Sequence, residues 1–202
     1  MNVHSFLCVY YDMNKKVTDK REAILATTLD LISERGFHNT PMSLIAKEAN
    51  VAAGTIYRYF KNKEDLINQL FLEWKRRMDE ATFEGYDKVL PIKVQFQLVW
   101  KNVLNFYIQH PKAFKFIEQY YYSPFISEET RSESAKFHHP ITQFFEEFQK
   151  TNIIKQLPID ALFALVHGPI VSLAQFYLER KTVLSEEELD EVIETVWEAI
   201  TI

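Results

Sequence analysis

Residues 40–60, TPMSLIAKEANVAAGTIYRYF, run directly into KNKEDL, and this stretch admits few folds. Thr40 can cap a helix whose first residue is Pro41, because proline tolerates the first helical turn. The helix predicted over 42–49 turns Leu44, Ile45 and Ala49 inward. Asn50 stands where that helix must stop, and asparagine tolerates the left-handed backbone of a C-terminal turn. A second helix is predicted over 52–60, with Ala53, Ile56 and Phe60 on one stripe at spacings of three and four. Gly54, Thr55, Arg58 and Tyr59 lie on the opposite side. Glycine costs ~1 kcal/mol against alanine within a helix, and is useful where a foreign backbone must come close. Two short helices across a tight turn, the second with an outer face of donors, make a helix-turn-helix. The second helix of that motif enters the DNA major groove.

This stretch resembles the tetracycline-repressor (TetR) family of bacterial transcription regulators. The resemblance is carried by Ile45-Ala46, Ala49-Asn50-Val51, Gly54-Thr55-Ile56-Tyr57, Tyr59-Phe60 and Lys63-Glu64-Asp65-Leu66, within residues 20–72. Two positions depart from the family pattern: Asn50 replaces the usual turn glycine, and Ala52 replaces a common serine, removing one candidate phosphate-contacting hydroxyl. The resemblance implies an all-α fold, with a three-helix DNA-binding domain at 14–62 after an N-terminal extension at 1–13. A helical effector-binding and dimerisation domain follows at 63–202, its helix 63–82 linking the two. The DNA-contacting set it implies is Thr40, Ser43, Gly54, Thr55, Tyr57, Arg58, Tyr59 and Lys63. Thr55, Arg58 and Tyr59 would approach base edges, and Tyr57 and Lys63 would hold phosphates. The function implied is a ligand-responsive transcription regulator, most often a homodimeric repressor on near-palindromic double-stranded operator DNA. The alternative is a helical small-molecule carrier or enzyme without a DNA role.

The net charge of −5 alone argues against a nucleic-acid binder, but its distribution reverses that. Residues 14–77 carry 12 Lys+Arg against 8 Asp+Glu, whereas residues 78–202 carry 11 against 19. A basic head on an acidic body fits DNA binding. The 202 residues suffice for one or two compact domains, and only four glycines favour helices. Cys8 alone cannot form an internal disulfide. No apolar run approaches a membrane span of ~20 residues, and the FLCVYY segment lacks a basic flank and cleavage site. A soluble cytoplasmic protein is expected, without a membrane partner.

Further along, a helix is predicted over 19–35, capped by Asp19 and Glu22, with Ile24, Leu25, Thr28, Leu31 and Ile32 inward and Gly36 as its stop. Residues 63–82 form a helix with Leu66, Ile67, Leu70, Phe71, Trp74 and Met78 on one stripe. Helices are predicted over 92–109 and 112–122, each ended by a following proline. Residues 127–151 read as one long helix, with a possible break at His139-Pro140 left open. Residues 159–178 are apolar nearly all round, so burial on every side is expected. The last helix starts with the capping box Ser185-x-x-Glu188 and aligns Leu189, Val192, Ile193, Val196, Trp197 and Ile200. In a monomer the stripe of Leu189, Val192, Val196 and Trp197 is expected to have nothing large to cover it, so these last two helices are expected to pair with their copies as a four-helix bundle.

No HExxH, CxxC, GxSxG, P-loop or GxGxxG is present, so neither a metal site, a cofactor site nor a catalytic constellation is expected. His167, in the apolar helix before Gly168-Pro169, needs a polar partner, from a neighbouring helix or a ligand. The family resemblance implies an effector pocket inside this bundle; Trp100, Tyr107, Phe116, Tyr120, Tyr121, Phe144 and His167, on the helices the family places around it, are expected to wall it and combine apolar area with polar tips. That wall favours a small apolar or aromatic effector over a charged one.

Overall fold

The computed structural model describes residues 20–180 and 183–202, the side chains of residues 138 and 139 excepted. The readings on residues 1–13 and on the Asp19 cap fall outside the described residues. The described residues form ten α-helices: α1 (Lys20–Arg35), α2 (Met42–Glu48), α3 (Ala53–Tyr59), α4 (Lys63–Thr82), α5 (Ile92–Gln109), α6 (Pro111–Tyr120), α7 (Glu128–Ala135), α8 (His139–Lys150), α9 (Ile159–Arg180) and α10 (Glu186–Ile200). One isolated antiparallel bridge joins Ile154 to Thr201. The chain divides into two compact units, Met1–Lys63 and Glu64–Ile202.

In the first unit, α1 buries Ile24, Leu25, Thr28, Leu29, Leu31 and Ile32. The Thr28 hydroxyl donates to the Ile24 carbonyl at 2.6 Å, so its burial leaves no polar atom unmet. Gly36 (φ 74°) and Asn50 (φ 53°) adopt the left-handed conformation that ends α1 and turns the chain after α2. The inward stripe of α2 is Met42, Ile45 and Ala46, whereas Leu44 and Ala49 are half-buried. That face obeys the i, i+3, i+4 spacing, which 44–45–49 does not. Ala53 is exposed, not buried. Side chains lean towards a helix's N-terminus, and the first residue of α3 has no preceding turn to lean on. Thr40 does not cap α2. It is fully buried and its hydroxyl donates to the Gly36 carbonyl at 2.8 Å, and Pro41 occupies the cap position without a side-chain bond.

In the second unit, Phe96, Trp100, Val103 and Tyr107 of α5 share one core with Phe144, Phe145 and Phe148 of α8, Leu162, Val166 and Ile170 of α9, and Ile193, Val196 and Trp197 of α10. The expected long helix at 127–151 is broken into α7, a 3-10 turn at Lys136–His138 and α8. Pro140 has no N–H to give the Lys136 carbonyl, which accounts for the break. Ser127 caps α7 by accepting from the Thr130 N–H at 3.1 Å. The Ser185–Glu188 capping box of α10 forms in both directions.

Two expectations about packing are corrected. Only Leu162, Val166, Ile170 and Ala174 of α9 are buried, while Leu165 and Phe176 are 45% and 44% exposed. Conversely, Val196 and Trp197 of α10 are covered within the chain, the Trp197 ring lying 5.0 Å from Phe96 and 6.4 Å from Phe148. By length and composition α9 also meets the criterion for a membrane-crossing helix, contrary to the reading that no such run exists. Its four core residues fall at i, i+4, i+8 and i+12, one face of a helix, and that face is occupied by the protein interior.

Candidate DNA interface and effector cavity

Ile56 and Phe60, 0% and 1% exposed, anchor α3 from one side. The Arg21 guanidinium lies 5.9 Å from the Phe60 ring centroid. On the outer side Gly54, Tyr57, Arg58 and Tyr59 are exposed, and Thr55 is half-buried. Gly54 has no left-handed φ, and a Cβ built there meets nothing within 4 Å. Neither backbone geometry nor packing in the free protein therefore calls for glycine at this position. Arg58 makes no hydrogen bond or ion pair among the described residues. Ser43 is exposed on α2, and so is Lys47, a cation the motif reading did not single out.

Two residues of the expected DNA-contacting set have partners within the fold. Thr40 is buried, so its hydroxyl is not available to a phosphate. Lys63, the first residue of α4, donates its ammonium to the Phe37 carbonyl and lies 4.0 Å over the Phe37 ring. Burial lowers its pKa. One donor of that amine ties the corner after α1 to the start of α4, and the others remain for a phosphate.

Within the second unit, α4, α5, α8 and α9 enclose an apolar chamber lined by Met78, Phe96, Trp100, Phe144, Phe163 and Ile170, among others. A wider mouth of about 620 Å³ is lined by Tyr107, Glu118, Tyr121, Tyr122, Asp160 and Gly168. Lys75, Met78, Ile141, Phe145, Phe163 and His167 line both, so the chamber and the mouth adjoin. Of the seven wall residues expected from the sequence, Trp100, Tyr107, Tyr121, Phe144 and His167 are there. Phe116 and Tyr120 are not. They are buried behind the wall, their tilted rings 4.8 Å apart, with Phe116 6.4 Å from Phe71 and Tyr120 6.1 Å from Phe125. The face of α6 directed at the mouth instead carries Ile117 and Glu118.

The polar groups of the cavity are set by contacts between helices distant in sequence. His167 and Tyr107 share a hydrogen bond of 2.7 Å, which makes a neighbouring helix the partner His167 needs. The imidazole also stacks on Phe163 at 4.8 Å and 18°. Burial, with the Lys75 charge adding to it, pulls the His167 pKa down to about 4, so the ring is neutral at pH 7. Burial pushes the Tyr107 hydroxyl up. Lys75 is 3% exposed yet makes no hydrogen bond or ion pair among the described residues. Burial pulls its pKa down to about 8, with Glu118 and Asp79 opposing. Both of those carboxyls are raised by their own burial, with Lys75 opposing. Trp100 Nε1 is buried with no acceptor. A signal for Lys75 did exist: it stands at i+4 from Phe71, on the inward stripe of α4.

Residues 24–70 match the family of bacterial regulatory proteins of the tetR type, and residues 91–201 match the tetracyclin repressor-like C-terminal domain. An uncharacterized HTH-type transcriptional regulator of Haemophilus influenzae is 33% identical over 190 residues, covering 93% of this chain and 99% of that protein. The chain belongs to the TetR family. A solved TetR-family regulator of Haemophilus influenzae superposes with a TM-score of 0.78 at 31% identity, over 92% of this chain and 98% of that one. A putative TetR-family regulator from Shewanella gives a TM-score of 0.82 at 25% identity, over 91% and 99%. As a TetR protein the chain is a DNA-binding transcription regulator, and α2 and α3 form its helix-turn-helix. Among the described residues no cluster of three or more His, Cys, Asp or Glu side chains is arranged to hold a metal.

Proposed function

We propose that this TetR regulator is a homodimeric, cytoplasmic repressor that leaves a near-palindromic operator when a small effector with an apolar body enters the cavity. Gly54 is the observation that carries the DNA side of this reading. It weakens α3, serves no packing role, and lies beside the exposed Tyr57, Arg58 and Tyr59. A closely approaching DNA backbone gives that arrangement a use. Arg58 then reads base edges, with Thr55 and Tyr59 near them, while Ser43, Tyr57 and Lys63 hold phosphates and fix the register.

The exposed Leu165 and Phe176 of α9 support dimerisation, because apolar faces of this kind are normally covered. A two-fold axis makes the operator a near-palindrome, with half-sites about one helical turn apart or somewhat more. Coupling has a covalent route. The first residue of α4 is tied to Phe37, and its later turns supply Lys75, Met78, Asp79 and Thr82 to the cavity. Effector and operator must weaken each other's binding by the same factor. The test is retardation of DNA carrying the protein's own upstream region, together with sedimentation. Sequence-preferring retardation by a dimer is the expected result. A monomer at micromolar concentration, or equal retardation of any DNA, would sink the proposal.

A further inference from the structure

Two hydrogen-bond donors in the cavity have no acceptor. The Lys75 ammonium is almost fully buried and forms no hydrogen bond or ion pair among the described residues. The Trp100 indole N–H is buried and unaccepted. Both side chains line the same apolar chamber. Native structures rarely leave such groups unmet, and an ammonium without a counter-ion is the more costly of the two. The charged groups facing it are Asp79, one turn further along α4, and Glu118 from α6, with Asp160 of α9 at the mouth. Neither Asp79 nor Glu118 comes within ion-pair distance. The Tyr121 ring is 6.0 Å from the amine, and His167 is neutral and bonded to Tyr107. The remaining wall of the inner chamber is apolar apart from Thr82, whose hydroxyl donates to the Met78 carbonyl at 2.7 Å.

We propose that the effector is a small organic acid whose apolar body lies in these two adjoining pockets, mostly in the wider one, and whose carboxylate accepts hydrogen bonds from Lys75 Nζ. This inference rests on the effector reading above and gives its ligand an anionic head, against the sequence-based expectation of an uncharged one. A cationic ligand would set a second positive charge against an amine that already lacks a counter-ion. A neutral ligand would leave that amine as it is.

The experiment is titration calorimetry on the full-length protein with octanoate, octanol and octylamine, repeated with 4-phenylbutyrate as a ring-bearing acid. At least one acid binds, and more tightly than the alcohol by about tenfold or more, as a charge-assisted hydrogen bond requires. The amine binds most weakly. Lys75→Met removes the acid's advantage and leaves the alcohol nearly unchanged, while Lys75→Arg keeps it. Thermal melting and operator retardation report whether each variant is folded. Titration of the wild type alone provides a second arm: acid affinity falls as pH rises past the point where the amine loses its proton. Failure of both acids to bind, an alcohol or amine binding as tightly as an acid, or equal loss of all ligands in folded Lys75→Met overturns the inference. Any of these with operator binding intact leaves the regulator reading standing, whereas a wild-type protein that prefers no DNA overturns that reading instead.

Discussion

The two units display their cations in opposite ways. Arg58 is exposed on a two-turn helix, with the buried Ile56 and Phe60 behind it. Lys75 is enclosed by the apolar wall of a cavity, with its nearest carboxylates beyond ion-pair reach. An exposed charge costs the fold almost nothing and can be removed without disturbing it. A buried, unpaired one weakens the fold until a ligand supplies its counterpart. The DNA-facing groups of the first unit are therefore separable from stability, and the ligand-facing groups of the second are not.

That contrast can be broken or sharpened by substitution. The largest effect is expected for Ile56→Ala, which empties a fully buried position beneath α3 and should cost about 2–4 kcal/mol. DNA retardation should disappear while ligand heats from the cavity persist; simultaneous loss of both would show that the units do not act separately. Lys75→Met should raise stability by about 1–3 kcal/mol, because it replaces an unpaired buried charge by an apolar chain of similar length. Calorimetric melting checks this, and a lower Tm would contradict it. The gain has a pH signature. Burial lowers the amine's pKa from 10.5 to about 8, so across that interval the unfolded chain holds a proton the native chain has released. Wild-type stability measured relative to Lys75→Met must then rise between those values, and the gap must be widest below pH 8. A gap independent of pH would mean the amine titrates normally. The smallest effect belongs to Gly54→Ala. With open space at the Cβ and an ordinary φ, the free protein should gain up to ~1 kcal/mol. Operator affinity should fall at the same time, measured by anisotropy; unchanged affinity would remove the reason given for the glycine.

The sequence was most informative where function is written locally. The turn at Asn50, the helix at 53–59 and the exposed Arg58 and Tyr59 follow from spacing within some twenty residues. So do α5 and the capping box of α10. Legibility failed where the answer depends on what a distant segment brings. Phe116 and Tyr120 look like cavity residues by type, yet α6 turns them to the core and offers Glu118 to the mouth. Val196 and Trp197 look uncovered until Phe96 and Phe148 arrive from other helices. Thr40 has the chemistry of a helix cap, but the Gly36 carbonyl, four residues back, takes its hydroxyl. Lys75 lay on a visible stripe, and only the assembled cavity shows that it has no counter-ion.

The outer face of α3 is proposed to read sequence. Fluorescence anisotropy on wild type and Arg58→Ala, each against DNA from the protein's own upstream region and against scrambled DNA of equal length, tests it directly. The substitution leaves the buried Ile56 and Phe60 untouched, so an unchanged melting curve is expected. Affinity for the upstream DNA should fall by about 1–3 kcal/mol, the discrimination carried by one bidentate base contact. Affinity for scrambled DNA should fall far less, and only by what one lost positive charge removes. Equal losses on the two DNAs, or no loss on either, would contradict the assignment of α3 as the reading helix.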